Sequence, residues 1–118
     1  MRDGWSSITL RLEAPDRETL RALPKELLAL GSLSPRAAVL LIKIDADARR
    51  RLEERLDRLH EFLLVNEQLL IQASESCTSD VFIGWSPSAS QESLTIGASL
   101  IQTLARVRLE LVFDTYTE

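Results

Sequence analysis

The stretch Asp47–Ala73 reads DARRRLEERLDRLHEFLLVNEQLLIQA, and its periodicity decides the fold. Leu52, Leu56, Leu59, Leu63, Leu70 and Ala73 recur at steps of three or four, with one wider gap at Asn66. An α-helix gathers residues at such spacing onto one face. Arg49, Arg50, Arg51, Glu53, Glu54, Arg55, Asp57 and Arg58 fill the other positions with charge. The pattern predicts a long amphipathic helix, or two helices broken between His60 and Asn66, lying across a small sheet. Phe62–Val65 is apolar on every side, which fits burial all round or a turn into the second helix. Asp45 and Asp47, just upstream, are placed to cap this helix through their carboxylates.

Working upstream, Ser7–Glu13 alternates. Ile8, Leu10 and Leu12 fall on one side, with Ser7, Thr9, Arg11 and Glu13 on the other, as in a strand with one wet face. Pro15-Asp16 stops it and opens a helical pattern through Leu20, Leu23, Leu27, Leu28 and Leu30. Pro24 removes a backbone donor and clashes with the preceding turn, so a kink or two short helices are expected. Gly31 is a C-terminal stop. Ala37–Ile44, AAVLLIKI, is apolar on both faces apart from Lys43. It predicts a central strand covered on each side, either by helices or by helices and another subunit.

Working downstream, Ser74–Asp80 is polar and reads as a connection, either ending before the next strand or running into it. Val81–Trp85 is the next strand, and Ser86–Ser93 is the longest loop-like stretch. Leu100, Ile101, Leu104 and Val107 mark a helix within Ile96–Val107. Arg108–Asp114 closes the chain as a strand with Leu109, Leu111 and Phe113 on one face. The order β-α-β-α-β-α-β implies an α+β fold, a two-layer α/β sandwich of about four strands with the long amphipathic helix packed on the sheet.

The chain's 118 residues suit a single domain over 1–118, and a domain of that size buries a core without disulfides or metal. Fourteen basic residues face eighteen acidic ones, for a net charge of −4. Nucleic acid is therefore not the expected partner, because phosphate binding rests on a concentrated positive surface. No apolar run approaches the roughly 20 residues of a membrane span, and Met1–Trp5 shows no secretory h-region. A lone cysteine, Cys77, forms no intrachain disulfide and suits a reducing compartment. The expected location is the cytoplasm.

The C-terminal third carries a family resemblance. Cys77–Pro87 (CTSDVFIGWSP), Leu100–Ala105 (LIQTLA) and Leu111–Tyr116 (LVFDTY) resemble a bacterial domain family of unknown function whose members are small α+β proteins. Those proteins end in a Leu-x-x-Leu-Ala helix and a strand closing on Asp-x-Tyr, and Leu52–Leu59 is similar to their preceding helix. The resemblance implies an immunity protein beside a bacterial toxin, or an accessory binding domain. It implies no catalytic residue.

Cys77 with His60 as base would make an activated thiol, but no glycine-rich oxyanion segment adjoins Cys77, and packing alone explains a single buried cysteine. His60 has no second histidine or nearby cysteine with which to hold zinc, so neither metal nor cofactor is expected. Asp45 with Asp47 reads as capping, and Glu53 with Glu54 as a solvated face. Arg49, Arg50, Arg51, Arg55 and Arg58 form the basic cluster, diluted by interleaved acids and better suited to an acidic partner protein than to phosphate. Trp85, Ser86, Asp114 and Tyr116 are the candidate binding residues at the sheet end beside the loop, although Trp85 by itself reads first as core. No phosphate loop or Ser-His-Asp series occurs. The expectation is a non-enzymatic binding protein working by protein–protein recognition, with homodimerisation as a companion idea. The alternative is a small-ligand sensor or enzyme with a pocket near Trp85 and Tyr116.

Overall fold

Strand β1 (Trp5–Glu13) is the spine of the molecule. In this computed structural model, which describes residues 4–45, 47, 50–87 and 93–116, its alternation is translated directly into burial. Ser6, Ile8, Leu10 and Leu12 are buried, whereas Trp5, Ser7, Thr9 and Arg11 on the opposite face are only partly covered. The chain continues through α1 (Arg17–Arg21), α2 (Lys25–Leu28), β2 (Ser32–Leu33), β3 (Val39–Lys43), α3 (Leu52–Val65), α4 (Glu67–Ala73), β4 (Thr78–Ser86), α5 (Ala98–Arg106) and β5 (Glu110–Thr115). The sheet order is β2-β3-β1-β4-β5. β1 pairs antiparallel with both β3 and β4, and β5 runs parallel to β4.

The protein is thus α+β, with a five-stranded mixed sheet and five helices among the described residues, which corrects the expected four-strand β-α-β-α-β-α-β order. The extra strand, β2, is two residues long, too short for periodicity to register. It is placed by Gly31, where a Cβ would lie 2.2 Å from the Leu41 carbonyl oxygen; only a glycine lets the chain pass β3 this closely.

The long helical stretch is two helices, α3 and α4. They part at Asn66 (φ −107°, ψ 18°), where the apolar stripe skips a beat. The Asn66 side-chain amide donates to the Phe62 carbonyl at 2.9 Å, adding a second donor to the one that the Asn66 N–H supplies at 3.0 Å. Phe62–Val65 is the last helical turn of α3, leading into α4; it buries Leu63 but leaves Val65 82% exposed, so it is not buried all round. Pro24 likewise separates α1 from α2, and the Asp16 carboxylate caps α1 by accepting from the Thr19 N–H at 2.7 Å.

Leu56, Leu59, Leu63, Leu70 and Ala73 from α3 and α4 join Ile8, Leu10, Leu12, Leu40, Ile42, Val81 and Ile83 from the sheet in one core. Leu100, Leu104 and Val107 of the α5 segment complete it. Two polar contacts tie the helices together. The Thr103 hydroxyl gives its proton to the Ser99 carbonyl (3.0 Å) and lies 2.9 Å from His60 Nε2, so it receives the histidine's hydrogen across the α3–α5 seam. Arg106 pairs with Glu67 at the start of α4.

Two further expectations change. Ala37–Ile44 is not a strand covered on both sides: β3 occupies Val39–Lys43, buries only Leu40 and Ile42, and leaves Val39 and Leu41 half-covered and Lys43 exposed. Asp45 and Asp47 do not cap α3, which begins at Leu52 after Arg51 with no side-chain cap. Asp45 instead accepts from the Asp47 N–H (3.2 Å) and adopts a left-handed backbone, φ 57°.

Candidate interaction face

The register places Trp5, Ser7, Thr9, Arg11 and Glu13 of β1 beside Asp80, Phe82, Gly84 and Ser86 of β4. Val39, Leu41 and Lys43 of β3 flank them on one side, with Glu110, Val112 and Asp114 of β5 on the other. These residues share the sheet face opposite the core. Phe82, Leu41 and Val112 remain only partly covered there. An apolar residue left half-exposed on a sheet face is the kind of surface that marks recognition.

At the middle of this face Arg11 meets Asp80 in a two-pronged ion pair. Nε donates to Oδ1 at 2.7 Å and Nη2 to Oδ2 at 2.8 Å. The guanidinium carbon stands 4.7 Å from the centre of the Phe82 ring. Both contacts favour the charged guanidinium, and the Asp80 hydrogen bond is the main reason its pKa is raised. The pair borders an open groove of about 590 Å³ that also touches Leu41, Cys77, Arg108 and Glu110.

At one end of the face, Trp5 and Tyr116 form a tilted aromatic pair, with ring centres 5.1 Å apart. They sit over Gly84, whose missing side chain makes room: a Cβ there would lie 2.8 Å from Ser7 Oγ and 3.5 Å from each ring. Tyr116 is held in register by its N–H, which donates to the Trp85 carbonyl at 2.8 Å. The neighbouring Asp114 carboxylate accepts from the phenol and raises its pKa above the ordinary 10.0. Tyr116 remains 44% exposed.

The four expected site residues therefore divide. Asp114 and Tyr116 are brought together on the open face, and Ser86 is buried on the same face as the cross-strand partner of Trp5. Trp85 points the other way and packs against the core. Trp85 and Tyr116 thus lie on opposite faces of the sheet and do not border one pocket. Of the Ser86–Ser93 loop, residues 88–92 lie outside the described residues. Trp5, Arg11 and Phe82 were missed as site residues. Trp5 falls just before the Ser7–Glu13 alternation, although β1 begins with it. The apolar Phe82 among polar outward neighbours was the available signal.

Cys77 is buried, and its polar neighbour is Ser76 at 3.8 Å, while His60 is engaged by Thr103. The two are not in contact. Among the described residues no three His, Cys, Asp or Glu side chains are grouped to hold a metal ion, and no helix is long and apolar enough to cross a membrane.

The basic cluster has a structural task. Arg50, Arg55 and Arg58 converge on Asp45 Oδ2 at 2.9, 3.9 and 3.7 Å. Arg51 leans toward Glu53 at 3.8 Å, and Arg49 lies outside the described residues. Arg55, 2% exposed, donates to the carbonyls of Ser6, Ile44 and Asp45 and to Ser6 Oγ, and so fastens α3 to the ends of β1 and β3. Burial pushes its pKa down, against the opposing pull of Asp45. The Asp47 N–H foremost, and then the three arginines, hold the Asp45 carboxyl below its ordinary 3.8.

No protein-family model matches the chain, and no curated protein or solved structure matches it either. The site is read on its own geometry.

Proposed function

We propose that this protein is a cytoplasmic binding protein, not an enzyme, and that it recognises a basic partner protein through the open face of its sheet, in an immunity or accessory role. A two-layer arrangement, with helices over one face only, is the architecture that frees the other face for this work. The observation that carries the reading is the composition of that face. Trp5, Leu41, Phe82, Val112 and Tyr116 supply apolar and aromatic contact area of the kind that anchors interfaces. On its strands Glu13, Asp80, Glu110 and Asp114 outnumber Arg11 and Lys43, four acids to two bases, and Arg108 adds a third base at the border of the groove. Because Asp80 is occupied by Arg11, the unpaired excess lies at the two ends and on β5. Such a field steers a positively charged partner and raises its rate of encounter.

The test is a matched capture. The wild type and an Asp114→Lys/Tyr116→Ala variant are immobilised in cytoplasmic extract of the source cell, and any protein retained is purified and its affinity for each is measured. The expected result is a basic partner bound at micromolar Kd or better and weakened at least about thirtyfold by the variant, in line with loss of an aromatic contact and reversal of a charge. Retention of nothing, or equal affinity for both, rejects the reading.

A further inference from the structure

The two edges of the sheet are not alike. On one side β2 ends the sheet with two residues. On the other, β5 presents six, Glu110-Leu111-Val112-Phe113-Asp114-Thr115, with no proline, glycine or lysine to blunt it. No described strand pairs with its outer side. Tyr116 directs its N–H to β4. Peptide groups alternate sides along an extended chain, so those of Leu111, Phe113 and Thr115 point away from the sheet. An unprotected edge of this kind is a template for another strand.

The side chains beside this edge narrow the choice of occupant. Phe113 shares the core-side face with Ile83, its register partner, yet is 39% exposed. On α5, Ile101 is 53% exposed. Thr103, on one flank of that helix, meets His60 of α3. Ile101 is two residues away, about 200° round the helix. It therefore occupies the flank away from α3, on a helix that packs against β5. Exposed apolar side chains thus stand in both the strand layer and the helix layer at one border. A lone extended peptide would cover Phe113 and leave Ile101 bare. A full occupant has a strand with a helix over the same side of it.

We infer that the occupant is a second copy of this chain, joined β5 to β5 antiparallel about a twofold axis perpendicular to the sheet. That axis keeps both helix layers on one side, so the two α5 helices meet above the seam and Ile101 is covered along with Phe113. It also restricts the register, because each residue must face one of its own parity. Centring on Val112 sets Glu110 against Asp114, two carboxylates. Centring on Asp114 sets that carboxylate against its copy. Centring on Phe113 sets Val112 against Asp114, Leu111 against Thr115 and Glu110 against Tyr116, with no like charges opposed. In this register the outward peptide groups of Leu111, Phe113 and Thr115 form about six interchain hydrogen bonds. The result is one continuous ten-stranded sheet that leaves the open face, and hence the partner reading, untouched.

The test uses the full chain. Sedimentation equilibrium at roughly 100 μM, well above a micromolar Kd, is expected to give twice the 13.3 kDa chain mass. Phe113→Lys and, separately, Ile101→Glu should each raise the dissociation constant at least about a hundredfold by burying an unpaired charge, with circular dichroism unchanged. In a Cys77→Ser background, Phe113→Cys should cross-link to its copy on mild oxidation far faster than Val112→Cys. A chain of monomer mass throughout overturns the inference. So does a dimer indifferent to both charge variants, or one cross-linked equally well through Val112→Cys.

Discussion

Removing the guanidinium of Arg55 should be among the most damaging single changes to the helix layer. The side chain is 2% exposed and reaches three backbone carbonyls and one hydroxyl, from Ser6, Ile44 and Asp45. A hydrogen bond from a charged donor contributes about 1.5–3 kcal/mol, but four bonds sharing one donor group are not additive. Breaking a buried ionic contact by deleting one partner costs about 3–5 kcal/mol. Here Arg50 and Arg58 still attend Asp45 afterwards, so its carboxylate is not stranded. Arg55→Ala is therefore expected at the lower end, about 3 kcal/mol, chiefly from buried carbonyls left without donors. Arg55→Met refills the volume and removes the cost of burying a charge, so about 1–2 kcal/mol is expected. Arg55→Lys keeps the charge but replaces a planar fork with a single head that cannot span Ser6 and Ile44 together, and should fall between them. The assay is urea unfolding followed by far-ultraviolet circular dichroism, with equal m-values as the check that the same transition is compared.

The same network gives the experiment a second axis. Asp45 has a folded-state pKa below its ordinary 3.8. A depressed carboxyl contributes stability that is complete above its unfolded pKa and is lost as pH falls through the folded value. Wild type should lose stability below about pH 4 as Asp45 takes up a proton. Arg55→Met lacks one of the cations that favour the carboxylate, so its acid loss should be shallower and the gap from wild type should narrow with acid. Refutation is direct: an Arg55→Ala protein within about 1 kcal/mol of wild type, or a gap that widens on acidification, would show that this buried arginine does not fasten α3 to the sheet.

Further outcomes follow from individual positions. Gly31→Ala sets a Cβ 2.2 Å from the Leu41 carbonyl oxygen, against backbone that cannot swing aside, and should cost about 2–3 kcal/mol in thermal or urea unfolding. Gly97→Ser should do the reverse: the position has open space around it and α5 has no side-chain cap, so a gain of about 0.5 kcal/mol is expected. Leu59→Ala, at a fully buried position in α3, should cost about 3–4 kcal/mol. Tyr116 is the chain's one tyrosine, so its phenolate absorbance reports a single group; the midpoint should lie above 10.0 and fall in Asp114→Asn, and a midpoint unmoved by that substitution would remove Asp114 from the aromatic site.

How far the fold was legible depended on what lay on each side of an element. Where one face was buried and the other wet, periodicity located the element, with Ile8, Leu10 and Leu12 inward in β1 and with Leu100, Leu104 and Val107, but not the exposed Ile101, inward in the α5 segment. Where both sides were wet, it failed: Thr78–Asp80 belongs to β4 and pairs with Arg11–Glu13, but its polar side chains carried no apolar beat. Arg55 shows a subtler limit. It falls three residues after Leu52 and four before Leu59, inside the inward stripe, and the spacing alone marks it as turned to the core. Its charge hid it, because an arginine is normally exposed unless it is paired. A charged residue in phase with an apolar stripe is a statement that acceptors lie beneath, here the frayed ends of two strands.

The misreading of Ala37–Ile44 has the opposite cause, and it bears on function. Val39 and Leu41 alternate with the buried Leu40 and Ile42, and the run was read as a strand covered on both sides because apolar residues faced both ways. The strand is covered once. Composition alone reports how apolar each face is, and the chain supplies cover on only one of them. Phe82 and Val112 repeat the pattern on β4 and β5, and Phe113 and Ile101 repeat it at the β5 edge. Leu64 and Val65 at the α3–α4 corner apart, the half-covered strand residues and Ile101 gather on one sheet face and one sheet border. Local rules in a folded domain tend to break at its working surfaces. If a partner docks on the open face and a second copy on the edge, every one of these apolar side chains acquires the cover that its sequence pattern anticipates.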